Sequence, residues 1–194
     1  MKKPLAVVGV WFVVAALLLA ALTAPAAMAG SPSRRNGPQS VPRAWVPPVK
    51  SDRWECIVIH HSATDFGGAA RFDKGHRAKG WDELGYHFVI GNGSDTRDGL
   101  VEVGPRWTEQ RHGAHCRSPE DYYNEHGIGI CLVGNFDEGP PSEAQQRSLA
   151  KLVRYLCRTY NIPASHVYTH GGVTHQTRCP GSHFDLKALR RSVR

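Results

Sequence analysis

Short apolar runs rich in β-branched residues recur along residues 54–194 and are separated by turns and amphipathic segments. Residues 56–59 and 128–133 are almost continuously apolar, which predicts two strands that are buried on both faces. Residues 86–90, closed by a Gly-Asn-Gly turn, and residues 100–103 predict two further strands.

The clearest helix is predicted to begin at Ser142. Ser142 and Gln145 have the spacing of a capping box, and an apolar stripe at helical spacing follows until Pro163. The stripe consists of Leu149, Leu152, Val153, Leu156, Cys157 and Tyr160. Shorter helices are predicted over residues 72–79 and 185–191. Strands separated by helices predict an α/β single domain with a mixed central β-sheet flanked by helices.

The N-terminal segment has the composition of a targeting signal. Two lysines precede an apolar run over residues 5–22, and the small residues Ala27 and Ala29 suit signal-peptidase cleavage. We therefore expect residues 1–29 to be a signal peptide and the domain to be exported to the periplasm, cell envelope or extracellular space. An uncleaved membrane anchor is the alternative. Residues 30–52, rich in Pro, Ser and Arg, predict a flexible linker, followed by a catalytic domain over residues 53–194.

The formal charge of +7 lies mostly outside this domain. Residues 1–53 carry seven basic residues and one acidic residue, whereas the rest of the chain carries seventeen basic and sixteen acidic residues. A nearly neutral domain does not favour nucleic-acid binding, which requires a clustered basic face. We expect a monomer that contacts a membrane only if the N-terminal segment is retained.

Three separated stretches contain residues that suit a tetrahedral metal site. The strand over residues 56–59 runs into His60 and His61, which point to opposite faces of a strand, so that only one can face the site. His170 and His175 precede Cys179, which lies beside a Pro-Gly turn signal. Two imidazoles and a thiolate are ligands that zinc accepts, and three protein ligands leave a fourth position for water.

Five cysteines in an exported protein also invite disulfides. With Cys179 on a metal, four remain, and they allow three pairings among which the sequence does not choose. A bridge that included Cys179 would remove the metal site.

Several motifs occur in order through the domain. They are Ile-His-His-Ser-Ala-Thr at 59–64, His-Arg-Ala-Lys-Gly-Trp at 76–81, Leu-Gly-Tyr-His-Phe at 84–88, Gly-Ala-His at 113–115, Asn124 with Gly-Ile-Gly-Ile at 127–130, Leu-Val-Gly at 132–134, and Cys-Pro-Gly at 179–181. Through them residues 54–186 resemble the zinc N-acetylmuramoyl-L-alanine amidases, which include phage lysozyme-type amidases and the peptidoglycan recognition proteins.

The resemblance implies roles for individual residues. His60, His170 and Cys179 would bind one Zn²⁺ ion. Tyr86 and Thr177 would be catalytic, because they correspond to groups that stabilise the developing oxyanion. The implied substrate-binding residues are His61, His87, His115 and Asn124. His61 and His87 are also candidates for moving a proton to the leaving amine.

The implied reaction is hydrolysis of the amide between N-acetylmuramic acid and L-alanine in peptidoglycan or muropeptides. Two alternatives stay open: a recognition protein that binds peptidoglycan without cutting it, and a zinc peptidase that cuts the stem peptide. Two positions depart from the family pattern. The spacing from His170 to Cys179 is one residue longer than in close relatives, which keeps His175 as an alternative ligand. Cys131 stands where some members carry a glutamate base.

Overall fold

The computed structural model describes residues 40–193, which form one compact unit. Five strands are present in this part of the chain: β1 (Cys56–His61), β2 (Phe88–Ile90), β3 (Val101–Val103), β4 (Gly127–Leu132) and β5 (Val167–Thr169). The same part of the chain contains six α-helices: α1 (Ala69–Ala78), α2 (Pro105–Thr108), α3 (Tyr122–Glu125), α4 (Glu143–Tyr160), α5 (His170–Thr174) and α6 (Leu186–Ser192).

The strands form one mixed sheet in the order β3-β2-β4-β1-β5. β1 pairs in parallel with both β4 and β5, β2 pairs in parallel with β4, and only β3 runs antiparallel to its neighbour. The predicted α/β class with a mixed sheet is confirmed. Because the carboxyl ends of β1 and β5 lie at one edge, residues that follow these two strands are brought together.

Successive residues of the central strands point to opposite faces of the sheet, and each face packs in a different apolar cluster. Ile57 and Ile59 of β1 lie in the larger cluster, which also contains the apolar stripe of α4. Val89 of β2 and Cys131 of β4 lie in a smaller cluster that includes Phe72 of α1. His60 has the opposite parity to Ile57 and Ile59, so its side chain belongs to the face that α1 covers.

Helix α4 has the N-terminus that the sequence predicts. The Ser142 hydroxyl accepts a hydrogen bond from the Gln145 backbone N–H (3.0 Å), and the Gln145 side chain accepts one from the Ser142 N–H (3.2 Å). The Gln145 side chain also donates to the carbonyl oxygens of Ile90 and Val133, and thereby ties the helix to the ends of β2 and β4. All six predicted stripe residues are buried.

The predicted linker requires a correction at its C-terminal end. Trp45 is buried, its carbonyl oxygen accepts hydrogen bonds from the Trp107 indole N–H (2.9 Å) and the Tyr155 hydroxyl (3.2 Å), and its ring lies near that of Tyr155. Residues 40–52 therefore belong to the domain, because an indole in this segment completes the core. The predicted signal peptide and residues 30–39 of the linker lie outside the described residues. No helix within residues 40–193 is long and apolar enough to span a membrane.

Candidate metal centre

The register of β1 and β5 places two histidines side by side. Ile59 pairs with Thr169, so His60 in β1 and His170, which directly follows β5, lie next to each other at the same end of two neighbouring parallel strands. Their rings lie with centroids 4.6 Å apart. His170 begins α5, whose N-terminus is capped by the Thr169 hydroxyl, which accepts from the Gly172 N–H (3.1 Å). The cap fixes the backbone at the residue that carries this imidazole.

Cys179 reaches the same place through a loop that folds back on β1. The Gly171 N–H donates to the Cys179 carbonyl oxygen (2.7 Å), and the His61 backbone N–H donates to the Cys179 sulfur (3.3 Å). A Cβ at position 171 would overlap the Thr177 carbonyl oxygen, so a glycine is needed for this close approach. The predicted turn at the cysteine is present, because the Gly181 N–H bonds the Arg178 carbonyl.

The three candidate ligands converge. One donor atom from each of His60, His170 and Cys179 lies within 4.8 Å of the others, and His60 Nδ1 is 3.9 Å from the Cys179 sulfur. Nitrogen and sulfur ligands of one tetrahedral zinc ion lie roughly 3.5 Å apart when Zn–N is about 2.0–2.1 Å and Zn–S about 2.3 Å. The donors have the right chemistry for zinc and nearly the right separation.

The electrostatics of the centre depend mainly on burial. Burial lowers the pKa of His60 and of His170, and the neighbouring histidines lower it further. Both imidazoles are therefore neutral near pH 7, which is the form that binds a metal. Burial raises the pKa of the Cys179 thiol to about 11. A thiolate at this position requires a cation close to the sulfur, and a divalent metal ion supplies that charge.

Tyr86 and Thr177, the two predicted catalytic residues, lie near the candidate ligands. The Tyr86 ring is 5.2 Å from that of His60, between centroids, and burial raises the pKa of its hydroxyl well above the usual value. Tyr86 therefore stays protonated and remains a hydrogen-bond donor. The Thr177 hydroxyl accepts from the Cys179 N–H (3.1 Å), which leaves its own proton to donate.

The four predicted substrate-binding residues occupy different environments. His61 is partly exposed, and its Nδ1 accepts from the Phe136 N–H (3.1 Å). His87 is fully buried; its Nε2–H donates to the Arg111 carbonyl (3.0 Å) and its Nδ1 accepts from the Gly129 N–H (2.9 Å). This position does not fit the substrate-binding or proton-transfer role expected of His87, because backbone groups occupy both ring nitrogens.

His115 and Asn124 border a cavity, but their polar atoms are engaged within the protein. His115 contacts His60, with 3.1 Å between His115 Nδ1 and His60 Nε2. The Asn124 side-chain oxygen accepts from the His115 N–H (2.8 Å) and the Cys116 N–H (2.9 Å). Both residues are about 8% exposed, so a substrate could contact only a small part of either side chain.

Three alternatives remained open from the sequence: His175 as a ligand, a disulfide at Cys179, and Cys131 as a base. His175 is exposed at the end of α5 and is not among the converging donors. All five cysteines are free thiols, so no disulfide involves Cys179. Cys131 is buried in β4, and burial raises the pKa of its thiol well above the usual value, which excludes it as a base near neutral pH.

Two cavities lie at the candidate centre, one lined by the ligand His170 and the other by the predicted catalytic residue Tyr86. One of about 470 Å³ includes His170 and Thr177 in its wall, together with Trp81 and Arg117. The other, of about 370 Å³, includes Tyr86 and a face of α1. That face carries Arg71, Phe72, Gly75, His76 and Lys79. The signal in the sequence for this wall is the four-residue spacing of positions 71, 75 and 79, which places them on one side of a helix.

Comparison with known proteins identifies the family of this chain. Residues 50–182 match the family model described as N-acetylmuramoyl-L-alanine amidase. The endolysin of enterobacteria phage T3 is 35% identical over 141 residues, which cover 69% of this chain and 83% of the endolysin. The chain belongs to the N-acetylmuramoyl-L-alanine amidase family.

Solved structures have the same fold. The amidase LysC from Clostridium intestinale URNW superposes with a TM-score of 0.62 at 31% identity, covering 79% of this chain and 94% of LysC. Bumblebee PGRP-SA superposes with a TM-score of 0.57 at 26% identity, covering 71% of this chain and 81% of that protein. Amidases and peptidoglycan recognition proteins thus share one single-domain architecture with this chain.

Proposed function

We propose that this protein is a zinc-dependent enzyme that hydrolyses the amide bond between N-acetylmuramic acid and L-alanine in peptidoglycan. The observation that carries the proposal is the convergence of His60, His170 and Cys179, with His170 in the wall of one cavity and Tyr86 in the wall of a second. Family membership supports the amidase reaction, and the donor set supports zinc.

The chain's own residues would bind the metal and the developing charge. His60, His170 and Cys179 would hold one Zn²⁺ ion, which supplies Lewis-acid polarisation and activation of water. The Tyr86 hydroxyl would donate a hydrogen bond to the amide carbonyl oxygen as that oxygen gains negative charge. Thr177, which lines the larger cavity, would donate a second hydrogen bond to the same oxygen.

The substrate would be peptidoglycan or its muropeptides, bound across the two cavities. The relatives support this choice, since they include endolysins and a Drosophila PGRP-LB variant in complex with tracheal cytotoxin. Peptidoglycan lies outside the cytoplasmic membrane, so an exported domain agrees with the predicted signal peptide. We propose a monomer as the active form.

The reaction can be tested by mass spectrometry of muropeptides after digestion with the domain. We expect stem peptides with a free L-alanine amino group and unsubstituted muramic acid. Removal of metal with phenanthroline should abolish cleavage, and added zinc should restore it. Products cut within the stem peptide would instead identify a peptidase, and intact muropeptides bound without cleavage would identify a recognition protein.

A cysteine substitution tests the ligand assignment. Cys179→Ala should lose bound zinc, measured by atomic absorption, and should lose cleavage, because two imidazoles alone hold the ion weakly. The matched control is Cys157→Ala, which removes a buried thiol from α4, and it should retain both zinc and activity. A Cys179→Ala protein that keeps full activity would refute the assignment.

A further inference from the structure

His115 contacts the ring nitrogen of His60 that does not face Cys179. His60 Nδ1 faces the Cys179 sulfur, whereas His60 Nε2 is 3.1 Å from His115 Nδ1. The two rings meet edge to face, with centroids 5.0 Å apart and an interplanar angle of 76°. The second nitrogen of His115, Nε2, is 3.2 Å from the carbonyl oxygen of Gly127.

This chain of contacts has only one consistent arrangement of protons when a metal is bound. A carbonyl oxygen only accepts hydrogen bonds, so His115 Nε2 carries the proton that it shares with Gly127. His115 Nδ1 is then an acceptor in the neutral ring. His60 Nε2 must carry a proton to bond it, which leaves the lone pair of His60 on Nδ1, toward the sulfur.

We propose that His115 is a positioning residue that holds His60 in the ring orientation and tautomer required of a metal ligand through Nδ1. The proposal rests on the metal site of the proposed function. A ligand histidine typically donates its other ring N–H to a carboxylate, carbonyl or water, and such partners raise metal affinity. In this chain a second imidazole, itself fixed by a strand carbonyl, occupies that place.

The surrounding structure is built to hold this ring. A Cβ added at Gly113 or at Gly129 would overlap the His115 imidazole, so both glycines make the space that the ring fills. Asn124 accepts from the backbone N–H groups of His115 and Cys116, and its amide donates to Asp121 (2.7 Å). The backbone and the ring of His115 are therefore both fixed before any ligand binds.

This role differs from the substrate-binding role that family resemblance implies for His115. Both ring nitrogens are engaged within the protein, and little of the side chain is exposed. A substrate-binding residue would change KM and leave metal affinity unchanged. A positioning residue would change metal affinity and leave KM unchanged once the metal site is saturated.

The test is the zinc affinity of the full domain, measured by competition with a chromophoric chelator. His115→Leu should bind zinc about 10–100-fold more weakly than the wild type, as expected for loss of an outer-shell partner. His115→Asn keeps an acceptor near the position of Nδ1 and should bind within about threefold of the wild type. The control is His166→Ala, which removes an exposed histidine and should leave zinc affinity unchanged.

The outcomes separate this inference from the proposed function. A wild-type protein that binds no zinc overturns the proposed function and the inference together. Wild-type affinity in folded His115→Leu, or a raised KM with unchanged zinc affinity, overturns the inference alone. Circular dichroism checks the fold of each variant.

A measurement on the unmodified protein covers the case in which His115→Leu does not fold. Long-range ¹H–¹⁵N spectra of the zinc-loaded wild type should show protons on Nε2 of both His60 and His115. A proton on Nδ1 of either ring would overturn the inference.

Discussion

At the scale of single residues, the two adjacent histidines of β1 have different environments. His60 is about 1% exposed and lies on the face that α1 covers, whereas its neighbour His61 is partly exposed and bonds the Phe136 backbone. Strand periodicity predicts that only one of the pair faces the site, but it does not choose between them. The choice depends on which face packs against α1, and that is a property of the folded sheet.

Tyr86→Phe tests the proposed contribution of one hydroxyl to catalysis. Loss of a single oxyanion donor should lower kcat by about 10²–10³, equivalent to roughly 3–4 kcal/mol, while zinc content stays unchanged. Steady-state kinetics on a muropeptide substrate would measure the effect. Tyr122→Phe, which removes a surface hydroxyl bonded to Glu55, is the control and should keep the wild-type kcat. An unchanged kcat for Tyr86→Phe would exclude this role.

The sequence predicted part of the candidate centre at this scale. Histidine and cysteine are recognisable metal ligands in any sequence, and all three predicted ligands converge. The contact between His115 and His60 could not be predicted, because the residues are 55 positions apart and meet only through the packing of β4. The hydrogen bonds between backbone groups and both ring nitrogens of His87 could not be predicted either, because they also form only when the strands pack.

At the scale of elements, local signals decided which predictions succeeded. Strands β1 and β4 and helix α4 were predicted from apolar runs, a stripe and a capping box, which need no tertiary information. β5 was missed although Val, Tyr and Thr all favour strands, because polar residues flank it on both sides and no apolar run or turn signal marks it; its strand conformation depends on pairing with β1. Gly171 and Gly172 lie in α5 although glycine disfavours helices, because the Thr169 cap stabilises this helical turn.

Ser142→Ala tests the capping box at the start of α4. The variant loses the acceptor for the Gln145 N–H, and the free energy of unfolding should fall by about 1 kcal/mol. For a domain of this size that loss corresponds to about 2–4 °C in Tm. Chemical denaturation would measure it.

Arg147→Ala is the control on the same helix. It breaks only an exposed ion pair with Glu143, so it should change stability by less than about 0.5 kcal/mol. Equal effects of the two substitutions would contradict a specific role of the cap.

At the scale of the whole molecule, the domain begins earlier than composition indicates. A segment rich in Pro, Ser and Arg predicts a linker, yet Trp45 packs in the larger apolar cluster and bonds two residues more than 60 positions away. Composition averages over a window and therefore conceals a single anchoring side chain.

Trp45→Ala should destabilise the domain by about 3–5 kcal/mol, because it removes a large buried side chain and leaves a cavity. Val49→Ala, a change at a side chain that is 75% exposed in the same segment, should cost less than about 0.5 kcal/mol. Thermal unfolding followed by circular dichroism would compare them. A stability loss for Trp45→Ala as small as that for Val49→Ala would show that this segment is a tether after all.

The burial of each thiol determines which cysteine a reagent can modify in the folded domain. Four of the five cysteines are buried, and Cys179, in the candidate centre, is the most accessible. Alkylating agents that reach the domain therefore have better access to Cys179 than to the other four thiols, although its raised pKa keeps the metal-free sulfur protonated and slow to react. Modification of Cys179 would abolish activity while the fold of the domain stays intact. A bound metal ion would protect the Cys179 sulfur from such reagents.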